Sequence, residues 1–216
     1  MLYYVTLLLL YAALNWPPLA VVLVLLWVFR PWLPDPVDLW RTWRHMKALQ
    51  VQIEANPANV PARRELGELW IRWRRPKRAL VLLLEAQKRD PGNADLSYLI
   101  GLAMFRAGDA EEALTALVRA VDLEPHLRFG EPYLLAGEAL MRLRRWPEAE
   151  DAFERFLALQ SSSVKAYVLL GRVRLLQGKG DSAERMFAEA RSTFWAVPWH
   201  AKRRQLWWGL RAWVKG

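Results

Sequence analysis

The chain has no cysteine. That excludes a disulfide framework, a thiol nucleophile, a lipidated cysteine and any thiolate metal site, and it leaves the redox compartment unreadable. Histidine is scarce: His45, His126 and His200 lie far apart in different expected elements, so no histidine metal centre is expected. Gly178-Lys179-Gly180 lacks the spaced glycines and following Ser or Thr of a phosphate loop, and it falls where a turn between helices is expected. Glu148, Glu150, Asp151 and Glu154 read as a solvated helix face, and Ser161-Ser162-Ser163 as a loop. Without a convergent set of titratable groups, no catalytic, cofactor or metal site is expected.

Charge is also absent in two places. No charged side chain occurs from Met1 to Phe29, and residues 191–216 hold 6 Lys/Arg but no Asp or Glu. Residues 1–90 carry 13 basic against 7 acidic groups, and residues 91–190 carry 12 against 15. The net charge of +9 therefore sits at the ends, around a mildly acidic middle. Nucleic acid would be met by a continuous basic stripe. The local cluster Arg72, Arg74, Arg75, Lys77 and Arg78 is interrupted by that acidic middle, so nucleic acid is the weaker expectation and anionic lipid the better one.

What is present is apolar. Of 216 residues, 54% are hydrophobic and 13 are tryptophan, enough for one modest core and for interfaces where a ring is half wet. An uncharged stretch longer than about 18 residues is the signal of a bilayer-spanning helix. Residues 1–34 are accordingly expected to be a retained membrane anchor, since the start lacks the basic segment of a cleavable signal. Asn15-Trp16-Pro17-Pro18 interrupts the stretch, leaving either one kinked span or a short hairpin. Arg30, Arg41, Arg44 and Lys47 follow it against only Asp35 and Asp38, which places the rest of the chain on the cytoplasmic side of the cell membrane.

The body of the sequence repeats. Gly67, Ala79 and Pro91 recur as Gly101, Ala113 and Pro125, displaced by 34 residues. Gly137 and Ala149 follow after 36, with Ser161 in place of proline, and Gly171 and Ala183 after another 34. Around these markers stand Leu66 and Trp70, Ile100 and Met104, Ala136 and Leu140, Leu170 and Arg174 on a first helix. Leu83 and Ala86, Leu117 and Ala120, Phe153 and Phe156, Phe187 and Ala190 stand on a second. This pattern resembles the tetratricopeptide repeat family, whose unit is a helix-turn-helix. Three features depart from it: a two-residue insertion between His126 and Pro132, the missing proline at Ser161, and Arg174 at a usually apolar position.

The resemblance implies an all-α fold, a right-handed helical-hairpin solenoid of about four repeats (60–93, 94–127, 130–163, 164–197). A bridging half-repeat is expected at 35–59, with a helix from Val37 to Ala55, and a basic, Trp-rich capping helix at 198–216. On that last helix Trp199, Leu206, Leu210, Trp213 and Val214 share one face, which would either pack on the last repeat or touch lipid.

The family's first helices line a concave groove that binds protein segments. Carried over, the groove comprises Arg64, Glu68 and Arg72, then Tyr98, Leu102, Phe105 and Arg106. Leu134, Glu138, Met141 and Arg142 come from the third unit, and Val168, Arg172 and Leu175 from the fourth. The expected function is a membrane-anchored, non-enzymatic scaffold, adaptor or assembly factor with a protein partner in this groove. The alternative is a structural accessory subunit of a membrane complex, held through its anchor and ends.

The orientation is directly testable because the chain has no native thiol. A single cysteine replacing Ser162 is expected to resist an impermeant thiol reagent in intact cells and to react after lysis; labelling in intact cells would reverse the assigned side.

Overall fold

The computed structural model describes residues 36–196 and 207–213, together with Val21. The expected anchor at 1–34 therefore lies outside the described residues, apart from Val21. Among the described residues no helix is long and apolar enough to cross a membrane. The chain divides into two units, 1–48 and 49–216.

The described residues form helices and turns alone. Helix α1 spans Pro36–Ala55. Four hairpins follow: α2 (Val60–Arg72) with α3 (Pro76–Arg89), and α4 (Ala94–Ala107) with α5 (Ala110–Leu123). Then come α6 (Glu131–Arg142) with α7 (Trp146–Leu159), and α8 (Val164–Leu176) with α9 (Gly180–Ala196). From α3 onward each helix packs on its predecessor, and first helices also touch across repeats, α2 on α4 and α4 on α6.

Each hairpin closes in the same way. The amides of Arg75, Asp109, Arg145 and Lys179 donate to the carbonyls of Trp70, Met104, Leu140 and Arg174 at 2.9–3.0 Å. The residue before each of these amides is left-handed: Arg74 (φ 58°), Gly108 (110°), Arg144 (59°) and Gly178 (79°). This is the glycine-type helix stop, and two of the four hairpins accomplish it with arginine, at a cost of roughly 1 kcal/mol or more each. Three of the four hairpins begin with a side-chain cap, the third beginning instead at Gly130. Asn59, Asn93 and Ser163 accept from the amides of Ala62, Leu96 and Ala166. Ser163 thus does more than fill a loop: it supplies the cap that asparagine supplies in the earlier repeats.

The core is built on a close approach inside each hairpin. A Cβ placed on Gly67 would come within 2.7 Å of Leu83, on Gly101 within 2.8 Å of Leu117, on Gly137 within 2.5 Å of Phe153 and on Gly171 within 2.8 Å of Phe187. The opposing side chains are at most 1% exposed, as are Ala79, Ala113, Ala149 and Ala183 one turn earlier. Burial of each such leucine or phenylalanine is worth about 1.5–3 kcal/mol, and it requires that the facing position carry no side chain.

The departures from the repeat pattern have structural accounts. The insertion becomes a 3-10 turn, Leu127–Gly130, in which Arg128 and Phe129 are left-handed. Arg174 is accommodated by charge: its guanidinium pairs with Glu150 (2.9 Å) and Glu154 of α7, and Glu150 also takes Lys179 (2.6 Å). The expectation of a solvated acidic face on α7 is therefore corrected at Glu150, whose side chain is only 14% exposed. Burial pushes its carboxyl up, but hydrogen bonds from Lys179 and Arg174 outweigh this and hold it below the ordinary range.

Residues 207–213 are helical, and they turn a different face inward from the one the apolar spacing suggested. Gly209 lies against the Phe194 ring, Ala212 is fully buried and its carbonyl accepts from Arg191 at 3.1 Å. Small residues allow this contact, and it leaves Leu210 (60%) and Trp213 (62%) exposed.

The packing predicts opposite outcomes at two glycines. Gly137→Ala drives a methyl into the Phe153 ring and is expected to lower stability by about 1–3 kcal/mol despite the better helix propensity of alanine. Gly92→Ala, with nothing within 4 Å of its Cβ, is expected to change stability by less than about 1 kcal/mol. Denaturant unfolding checks both, and equal effects would remove the close approach as the packing constraint.

Candidate protein-binding face

The first helices α2, α4, α6 and α8 carry all the residues assigned to the groove, and the structure divides those residues into three groups. Tyr98 (6% exposed), Phe105 (8%) and Val168 (0%) belong to the interior. They are not open anchors: Tyr98 and Phe105 lie in the cluster that includes Leu135 and Ala139 of the next repeat, and Val168 packs with Ala183, Phe187 and Ala190 of its own hairpin and with Ala212. The Tyr98 hydroxyl donates to Glu131 at 2.9 Å, and the Arg142 guanidinium lies 3.6 Å from the centre of the Phe105 ring.

A second group is charged and already paired. Arg64 pairs with Asp95, and Glu138 with Lys165. Glu68 meets Arg128 at 3.6 Å, while Arg128 donates to Asp95 at 2.6 Å and lies 4.9 Å over the Tyr98 ring. Arg128 thus joins the first two repeats from within the inserted turn. Burial raises the Asp95 carboxyl, but hydrogen bonds from Arg128 and Arg64 prevail and hold it below its ordinary value. Burial first, and then the Glu131 carboxylate, push the Tyr98 phenol up, which keeps it a donor.

Two arginines of the face have a job at helix ends. Arg106 donates to the carbonyl of Ile71 at 2.7 Å, and Arg142 to the carbonyl of Phe105 at 2.8 Å. Each adds a charged donor to a last-turn carbonyl of the preceding first helix that already accepts a turn amide, from Arg74 at Ile71 and from Gly108 at Phe105, where the helix dipole also favours a cation. The remaining guanidinium donors stay on the exposed side.

The third group is available. Arg72 is exposed and Arg172 half-exposed, neither with an ion pair among the described residues, and Leu175 is 41% exposed. Leu102, Leu134 and Met141 are half-buried against the core, with part of each side chain facing out. The face therefore presents a broken apolar strip bordered by cations, narrower than the residue types alone imply.

Sequence reasoning missed Asp95, Arg128, Glu131 and Lys165. Their partners lie 27–33 residues away, a separation at which no local pattern signals a contact. The inserted turn was the one available signal for Arg128. Among the described residues no group of three or more His, Cys, Asp or Glu could hold a metal ion.

The hairpin geometry defines an α-helical repeat protein. The tetratricopeptide repeat model matches residues 64–126 and 134–197, more than half of the chain, and the chain belongs to that family. A crystal structure of MamA superposes with a TM-score of 0.67 at 24% identity, covering 74% of this chain and 95% of that one. The MamA RS-1 ArsTM double mutant has the same TM-score at 16% identity, covering 73% and 87%. At these identities the likeness shows the fold. Human Protein O-mannosyl-transferase TMTC2 is 31% identical over 94 residues, which is 43% of this chain but only 11% of that protein's length.

Proposed function

We propose that the chain is a membrane-anchored, non-catalytic scaffold, fixed by residues 1–34 with its repeats in the cytoplasm, that holds a protein segment on the first-helix face. The observation that carries this reading is the strip Leu102, Leu134, Met141 and Leu175, bordered by Arg72 and Arg172. Partly exposed apolar groups beside unpaired guanidinium groups suit an extended or helical segment with apolar anchors and carboxylates. An anchor would raise the local concentration of whatever is bound, so the face need not bind tightly. The uncharged run at residues 1–29 and the basic flank after it support the anchoring and the sidedness.

A second reading rests on its own observation. Trp207, Leu210 and Trp213 are each 60–62% exposed, on the side of the last helix away from its packing. A permanent subunit of a membrane complex would be held through such an end and through the anchor.

One experiment separates the two. The full chain is purified from membranes in mild detergent, beside an Arg72→Glu, Met141→Ala, Arg172→Glu variant of unchanged helicity. Loss of a retained protein from the variant, by roughly tenfold or more, is the expected result. Retention of the same proteins would leave the face idle and favour the subunit reading.

A further inference from the structure

Five cationic side chains ring one cavity at the closed end of the first hairpin. The cavity has a volume of about 440 Å³ and is lined by Arg74, Arg75, Pro76, Lys77, Arg78, Arg106 and Ala107. It has no acidic lining residue, and all five cations are exposed. Among the described residues none of them is ion-paired; Arg78 instead lies 5.0 Å over the Trp70 ring, and Arg106 donates to the Ile71 carbonyl.

The other hairpins do the opposite at the same place. The second helix of each begins with acid in its first turn: Glu111 and Glu112 in α5, Glu148 in α7 and Asp181 in α9. Arg78 occupies the position that Glu112 and Glu148 hold 34 and 70 residues later. In α3 no acid is present in that turn, and Arg75 at its N-cap makes no side-chain cap. The positive end of the helix dipole adds to the charge of the side chains. This hairpin concentrates a positive potential that its sisters neutralise internally.

We propose that this cavity is a binding site for a phosphate ester. The choice among anions follows from charge and donor geometry. Five cations exceed what one carboxylate can match, whereas a phosphate monoester brings a charge of about −1.5 to −2 and three acceptor oxygens. Four of the five are arginines, whose planar forks each offer paired donors to tetrahedral oxyanions. The cavity has room for the phosphate and part of the group that carries it. The carrier is either a soluble ester or the headgroup of an anionic lipid, since the recognising chemistry is the same.

The full chain in detergent is titrated calorimetrically with glycerol 3-phosphate, with short-chain phosphatidic acid, whose headgroup is a phosphate monoester, and with short-chain phosphatidylcholine. Two charge-matched variants accompany it: Arg75→Glu with Lys77→Glu in the cavity, and Lys88→Glu with Arg89→Glu at the far end of the same helix. A third, Arg78→Glu, installs the residue the sister repeats carry and is the variant least prone to disturb the fold. Saturable binding is expected, weakened roughly tenfold or more by the cavity variants and little changed by the distal pair. Binding of glycerol 3-phosphate assigns a soluble ester, and binding of phosphatidic acid alone assigns the lipid headgroup. Absence of saturable binding to either, or equal weakening by cavity and distal variants, would overturn the site and leave only net charge.

Discussion

In every hairpin a glycine on the first helix lies directly beneath a leucine or phenylalanine sixteen residues further on. The rest of the body depends on that contact. It sets how near the two helices come, which lets the file Ala79, Ala113, Ala149 and Ala183 be fully buried. It also allows the opposing residue to grow from leucine in the first two hairpins to phenylalanine in the last two without changing the plan. Interiors pack like crystals, so a missing side chain on one helix and a bulky one on the other form a single fitted pair.

Between hairpins the solution is polar. Arg106 and Arg142 close the end of the preceding first helix, Arg128 ties together charges from the first two repeats, and Arg174 replaces an apolar contact with a half-buried ion-pair network. Arg106 and Arg142 are therefore structural and superficial at once: each gives a donor to the fold and remains exposed. The face open to a partner is what remains after that internal use.

The hairpins were legible because their markers are local and periodic: glycine, alanine and proline at a fixed spacing report packing and helix stops within one unit. The helix boundaries followed from caps and prolines that act over a few residues. The site was less legible. Tyr98, Phe105 and Val168 carry the residue types of an interface, but contacts from helices distant in sequence bury them. Arg128 becomes meaningful only once the inserted turn points it back at Asp95. On the last helix, the apolar periodicity of Leu210 and Trp213 left packing and lipid contact as alternatives, and it is the small residues Gly209 and Ala212 that pack, since close contact to Phe194 and Arg191 needs little volume.

The proposed function requires the first-helix face, and not the second-helix face, to receive a protein. Site-specific photocrosslinking in living cells tests this most directly, with the photoreactive residue placed at Arg172 on the first-helix face and at Val118, which is 52% exposed on α5. A discrete covalent adduct with another protein from position 172 and none from 118 is the result the account predicts. Adducts from position 118 alone would contradict it and move the binding surface to the opposite helices.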